Sequence, residues 1–363
     1  MKVLAIVPSI YDTSPGQRFR IEQWEPILKA GGVEIAYEPF ESPELRSVLY
    51  GPGNSLTKVK EVTRSFRRRG SVVSAAGGYD LIYLFREAAL LGPAWYERRF
   101  GRTGVPVVFD FDDAVFVAYR SPSNGYLSYL KFPGKTATIC RIATHVIAGN
   151  PYLADYAREH NPNVTIVPTT IDTDKYEAKE KPAANDGPVT IGWSGSFSTV
   201  QHLDTVRDAL QELAKTESFR LRVIGTPEYS LPGVETEAMP WRSETEIADL
   251  SAIDIGLMPL PDENWTRGKC ALKALQYMAL GIPTVCSPVG VNTAIIDDGV
   301  NGFLAGSRDE WINKLRTLLH SPDLRRMVGL EGRKTVEEGY SARSQAPRVL
   351  EIFQRAAKTR AGK

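Results

Sequence analysis

Eleven short runs rich in β-branched and aromatic residues alternate with helical patterns along the whole chain. In the first half they are KVLAIVPS (2–9), VEIAYEP (33–39), DLIYLFR (80–86), VPVVFDF (105–111), THVIAGN (144–150) and VTIVPT (164–169). In the second half they are VTIGWSG (189–195), RLRVIGT (220–226), DIGLMPL (254–260), IPTVCSP (282–288) and GFLAG (302–306). They are apolar on both faces, as strands of a parallel sheet covered by helices must be. Helical patterns such as 199–215 and 308–320 fall between them. Strand–helix alternation of this kind implies an α/β fold with doubly wound parallel sheets.

One polar segment interrupts the alternation. TDKYEAKEKPAANDGP (173–188) carries Pro182 and Pro188 and has no apolar period, so it reads as a linker. The chain of 363 residues is long enough for two domains. The expected architecture is two Rossmann-like domains, 1–172 and 189–340, facing a cleft, with a helical tail over 341–363 completing the first. Ligands are expected at the carboxyl ends of the strands.

Formal net charge is +1, which excludes bulk nucleic-acid binding as an expectation. The halves differ: residues 1–170 hold 20 Lys and Arg against 16 Asp and Glu, and the remainder hold 24 against 27. The three cysteines, Cys140, Cys270 and Cys286, have the spacing of neither a zinc site nor a disulfide framework. A reducing, cytoplasmic setting is the expectation. MKVLAIVPSI is too short for a signal peptide, and no apolar run reaches the roughly 18 residues of a membrane span.

Four stretches carry chemistry. In GKCALKALQYMALGIPTVCSPVG (268–290), Ala271, Ala274, Leu275 and Met278 form a buried helical stripe. Lys269, Lys273 and Gln276 then share a second face, with Lys269 in the first turn. A cation there opposes the helix dipole unless an anion binds, so a phosphate site is expected; a solvated lysine face is the plainer reading. In TSPGQRFR (13–20), Ser14 suits an N-cap, Pro15 the first helical position, and Gly16 close approach of a ligand, with Arg18 and Arg20 following. A plain turn between strand and helix is the alternative. FDFDDAVF (109–116) places Asp110, Asp112 and Asp113 at the end of a buried strand, where carboxylates need partners; Arg86 and Arg18 are the candidates. GWSGS (192–196) ends the first strand of the second half with Ser194, Gly195 and Ser196, fit for a backbone–ligand contact or a helix cap.

Lesser signals remain. MPWRSETEIADL (239–250) offers Trp241 beside a capping box from Ser243 to Glu246. RSFRRRG (64–70) and ERRFGR (97–102) are basic with an aromatic, compatible with peripheral contact at an anionic membrane or with solvated helix faces. His145, His160, His202 and His320 are scattered, with no metal-site spacing, and no Walker or dinucleotide glycine motif follows the first strand.

The whole chain resembles glycosyltransferase family 4, of GT-B fold. The likeness is strongest in IGWSGS, LRVIG, DIGLMPL and LKALQYMALGIPTVCSPVGVNTAIIDDGVNGFLA. A divergent branch of that family looks similar in DFDDAVF and in the GKC-x-LK-x-LQYMA-x-G pattern. The resemblance implies transfer of a sugar from a nucleotide-diphosphate sugar to an acceptor hydroxyl, with retention and no metal or other cofactor. It implies donor binding on the second domain and acceptor binding on the first, in glycan, polysaccharide or glycoconjugate synthesis. It also implies that the final helix crosses back to the first domain.

The family's two glutamates, eight positions apart, match Gly268 and Gln276 here. Gln276 retains hydrogen-bonding capacity toward a ribose hydroxyl; Asp262 or Glu263 stands in for the missing carboxylate. The family's phosphate-binding cations match Ser196 and Gln201, so Arg267, Lys269 and Lys273 are the replacements. Its acceptor-side histidine matches Asp112. The expected roles follow. Asp112 or Asp113 orients or deprotonates the acceptor hydroxyl, and Lys269 stabilises the leaving diphosphate. Gly16, Arg18, Ser194, Gly195, Ser196, Arg267, Lys273 and Gln276 bind the donor. Arg86, Asp110 and Asp112 bind the acceptor. Expected partners are the nucleotide-sugar and a sugar, lipid-linked or small-molecule acceptor. A nucleotide-sugar epimerase, a solute-binding protein and a degenerate nucleotide-sugar binder are the competing functions.

Overall fold

A computed structural model describes residues 1–49, 53–118, 132–178 and 187–361. Half of the expected linker, from residue 179 to 186, lies outside the described residues. The chain divides into two compact units, Met1–Pro168 with Gln345–Lys363, and Thr169–Ser344.

The first unit holds β1 (Lys2–Val7), β2 (Glu34–Pro39), β3 (Leu81–Phe85), β4 (Val107–Phe111), β5 (His145–Ala148) and β6 (Val164–Ile166). All pairings are parallel and the order is β2-β1-β3-β4-β5-β6. β3 and β4 are buried at every position, which is why their sequences show no polar alternation. The helix Ala342–Ala361 supplies Val349, Ile352 and Phe353 as buried residues, with the Phe353 ring 5.8 Å from that of Tyr83. Its Arg360 donates to the Gly77 and Tyr79 carbonyls.

The second unit holds β7 (Val189–Ser194), β8 (Phe219–Ile224), β9 (Thr236–Met239), β10 (Ile255–Met258), β11 (Thr284–Cys286) and β12 (Phe303–Leu304). The order is β12-β11-β10-β7-β8-β9, again parallel throughout. Counted within the unit this is 6-5-4-1-2-3, the doubly wound order. β9, sequence TEAM, is a strand the pattern did not announce; it is half-buried at the sheet edge and held partly by the Arg222–Glu237 ion pair.

Each sheet has one place where the strand order reverses. It lies between β1 and β3 in the first unit and between β7 and β10 in the second. Connections leave these neighbours in opposite directions, opening a crevice at their carboxyl ends. All three cysteines are buried free thiols. Among the described residues, no helix is long and apolar enough to cross a membrane.

Candidate active site

In the first unit, the reversal point gathers Gly16, Arg86, Asp112 and Asp113. β1 exits into a loop pinned by the buried Gln17. Its amide accepts from Ser9 N–H (3.2 Å) and donates to Ser9 O (3.0 Å) and Glu22 Oε1 (2.6 Å). Ser14 takes the extended N-cap conformation with Pro15 at the first helical position, but its side chain makes no capping bond. The helical turn continues through Arg18–Glu22, where Arg20 leaves helical geometry. That break lets Arg20 point into the sheet.

Arg20 makes a two-pronged ion pair with Asp110, at 3.0 Å from Nε and 2.5 Å from Nη2, and donates to Val167 O at 2.6 Å. Tyr83 Oη donates to Asp110 Oδ2 at 2.5 Å. Both members of the pair are completely buried. Burial pushes the Asp110 carboxyl above the usual carboxylate range, against the opposing pull of Arg20. Asp110 is thus an internal strut, and the expectation that it meets the acceptor gives way to this geometry. Its partner is Arg20; Arg18 instead pairs with Asp12 at 2.9 Å.

The next two carboxylates turn toward the rim. Arg86 sits at φ +56, a left-handed conformation that side-chain-bearing residues adopt only when held there. Its Nε donates to Asp112 Oδ1 at 2.6 Å, and Nη2 lies 4.0 Å from Asp113 Oδ2. Burial lowers the Arg86 pKa, but the two aspartates outweigh it and hold the guanidinium well above its usual range. Gly16 closes the cluster: a Cβ there would lie 2.7 Å from Arg86 Nη2 and 3.1 Å from Asp112 Oδ2. The glycine is required by the ion pair behind it.

In the second unit, the expected cationic helix face does not form. The helix is Leu272–Ala279, preceded by Ala271 at φ +56, so Lys269 lies in the turn before it. Lys269 N–H bonds back to Thr266 O, ending the short helix Asn264–Arg267. Gln276 faces inward. Its Nε2 donates to Tyr176 Oη and Glu246 Oε1, both at 3.2 Å. Glu246 is a buried carboxylate that also accepts from Tyr176 Oη (2.8 Å) and Trp241 Nε1 (2.9 Å). The helix Glu246–Ser251 has Thr245 at its N-cap, and the Glu246 side chain serves this hub.

The two lysines nevertheless converge. Lys269 Nζ lies 4.9 Å from the centre of the Trp265 ring, and Lys273 Nζ 5.4 Å from that of Trp193, on β7. Both act on His202, a buried residue in the turn-rich segment Val200–Val206 just after β7. Burial, then Lys273, then Lys269 lower the His202 pKa to about 4. The imidazole is neutral at physiological pH, and a positive field stands at the carboxyl end of β7. Sequence reasoning missed His202 because it carries no motif.

The remaining residues frame this field. Ser194 N–H donates to Tyr277 Oη at 2.8 Å, and Gly195 N–H to Ile224 O at 2.9 Å. Gly225, at φ +107, approaches so closely that a Cβ would lie 1.7 Å from Gly195 O. Ser196 is exposed among hydroxyls, with Ser198 Oγ at 2.8 Å. Arg267 is exposed and pairs with Asp262 at 2.7 Å. Glu263 caps Asn264–Arg267 in a reciprocal box with Thr266, and Gly268 follows as the C-cap. Lys269 and Lys273 both act on His202, while Arg267 is on the surface and Gln276 in the core.

Residues 188–321 match the family model described as glycosyl transferases group 1. No curated protein matches the sequence significantly. Among solved structures, the chain is similar to sucrose-phosphate synthase from Thermosynechococcus elongatus, at 17% identity and TM-score 0.70, covering 98% of this chain and 99% of that one. It is similar to Anabaena HepE in complex with UDP and glucose, at 15% identity and TM-score 0.68, covering 98% and 99%. It is also similar to the lipopolysaccharide outer core galactosyltransferase WaaB, at 13% identity and TM-score 0.61, covering 98% and 100%. The two six-stranded parallel sheets with their surrounding helices are those of the GT-B fold.

Proposed function

We propose that the chain is a glycosyltransferase that takes a sugar from a nucleoside-diphosphate sugar held on the second unit. The observation that carries this is the convergence of Lys269 and Lys273 beside neutral His202 at the carboxyl end of β7. Leaving-group departure builds negative charge on the diphosphate, and fixed ammonium groups there stabilise the transition state more than the ground state. The match over residues 188–321 supports the same assignment, as does the likeness to HepE, whose structure contains UDP and glucose.

On the first unit, Asp112 takes the acceptor. Its Oδ1 is held by Arg86, while its Oδ2 faces Gly16, so the carboxylate is oriented before any acceptor arrives. It orients the hydroxyl and receives its proton. Asp113 supports it through Arg86. Retention at the anomeric carbon, with front-face attack and no metal, is part of the reading.

Titration calorimetry with a panel of nucleoside diphosphates tests the donor site. At least one is expected to bind, and Lys273→Ala combined with Lys269→Ala to weaken it by tenfold or more. Unchanged affinity in that variant refutes the phosphate assignment. Product formed from a nucleotide-sugar without any acceptor marks an epimerase instead. Tight binding with no transfer to any acceptor marks a degenerate binder, the outcome favoured by the absence of a carboxylate at Gly268 and Gln276.

A further inference from the structure

The structure sorts the residues of the two basic segments differently from their sequence. Within 64–70, Phe66 packs against Phe40 and Tyr96. Arg68 turns inward to the carbonyls of Pro39, Phe40 and Glu41, and buried Arg69 to those of Val7, Glu38 and Ala88. Within 97–102, Phe100 is buried. The aromatics of both motifs belong to the core.

Other apolar groups are exposed instead. Leu56 (89% exposed) and Val59 (65%) lie near the start of the helix Ser55–Ala75, and Trp95 (63%) starts the helix Trp95–Gly101. These helices pack together: Tyr96 Oη donates to Phe66 O at 2.6 Å, and Gly70 faces Tyr96 and Arg99. Trp95 thus lies beside the middle of the helix Ser55–Ala75, about ten residues along it from Leu56 and Val59, and the exposed apolar residues are spread along this helix pair. Three exposed apolar side chains on two packed helices call for a covering surface.

The charges on the same helices say what that surface is. Lys60, Arg64 and Arg67 are exposed at helical spacing, and Arg98, Arg99 and Arg102 are exposed on the second helix and its end. The acids of these helices are withdrawn: Glu61 is buried against Arg64, and Glu97 is buried and accepts from Ala88 N–H. Glu44, on the neighbouring helix, is the exposed acid that faces Arg64 and Arg68. The whole first unit, residues 1–168 with 345–363, holds 25 Lys and Arg against 17 Asp and Glu, while the second holds 19 against 26.

We infer that this helix pair of the first unit docks on an anionic lipid bilayer, with Leu56, Val59 and Trp95 entering the headgroup boundary and the six cations meeting lipid phosphates. Trp is suited to that boundary, and long cationic side chains lie along it with their charges in the polar layer. The surface stands independently of the transfer reaction and is tested without it.

Full-length protein is sedimented with vesicles of phosphatidylcholine alone and of phosphatidylcholine with phosphatidylglycerol. Sedimentation is expected only with the anionic vesicles, and is lost in high salt. Lys60→Glu with Arg67→Glu is expected to weaken partitioning roughly 25-fold or more, from about fivefold per charge. Leu56→Ser with Trp95→Ser is expected to abolish it, whereas Lys334→Glu in the second unit leaves it intact. All five substituted positions are exposed, and thermal melts confirm that the variants stay folded. Equal binding to neutral vesicles, no binding to anionic ones, or variants that bind like the parent overturn the inference. So does protein that self-associates without lipid through the same apolar residues.

Discussion

Asp110→Asn isolates the charge at the centre of the first sheet. The asparagine keeps the shape and still accepts from Tyr83, but takes from the Arg20 guanidinium the carboxylate that touches it, leaving it the weaker field of Asp112. The Arg20–Asp110 pair is wholly buried, and the other contacts of Arg20 are neutral: Val167 O and the Trp24 ring at 4.7 Å. Two unit charges about 4 Å apart interact by about 4 kcal/mol at an effective dielectric constant of about 20. Breaking a buried pair from one side costs about 3–5 kcal/mol in practice, because the surviving ion stays desolvated. For a unit of this size, about 4 kcal/mol lowers the melting temperature by ~8–16 °C. Differential scanning calorimetry reads this directly, as a shift of one transition. The companion variant Arg20→Met with Asp110→Leu removes both charges and is expected to recover most of the loss. A single variant that melts within about 2 °C of the parent, or a double variant no better than the single, refutes the reasoning.

Acid sensitivity of the second unit follows from His202. Its folded pKa of about 4 lies below its unfolded value of about 6.5, so its contribution is complete above pH ~6.5 and fades as pH falls toward ~4, by up to ~3 kcal/mol. Urea unfolding across that range, compared with His202→Gln, is expected to show a flatter profile in the variant. Glu22 acts with the opposite sign in the first unit: burial raises its pKa to about 7, so its contribution is present at low pH and declines as pH rises through ~7. Glu22→Gln is expected to remove that decline. Gly225→Ala forces a Cβ against the Gly195 carbonyl at a backbone angle reserved for glycine, and is expected to yield no stable second unit by limited proteolysis. Gly16→Ala presses a Cβ on Arg86 Nη2 and Asp112 Oδ2, so it is expected to displace this ion pair and lower acceptor turnover, with a smaller loss of melting temperature than Asp110→Asn.

The strands were legible because burial on both faces leaves a local signature. KVLAIVPS, DLIYLFR and VPVVFDF contain β1, β3 and β4 almost whole. TEAM was not legible, since a half-buried edge strand reads like a loop. The spacing of Lys269 to Lys273 and Gln276 is helical, while the left-handed turn at Ala271 that breaks the run leaves no trace in composition. The candidate site was legible where one segment supplies it, as with Asp112 and Asp113. It was illegible where folding joins distant residues: Arg20 with Asp110 across 90 positions, Gln276 with Tyr176 across 100. His202 gave no signal at all; only its proximity to two lysines marks it.

The return of residues 345–361 to the first unit has a consequence for biosynthesis. Val349, Ile352 and Phe353 fill a place beside Tyr83, and Leu350 lies against Gly31, so that place stays vacant until the ribosome has translated nearly all of the sequence. The second unit is continuous from Thr169 to Ser344. A chain that stops short of residue 345 therefore carries an oily gap in its front half, a natural target for chaperones and for degradation.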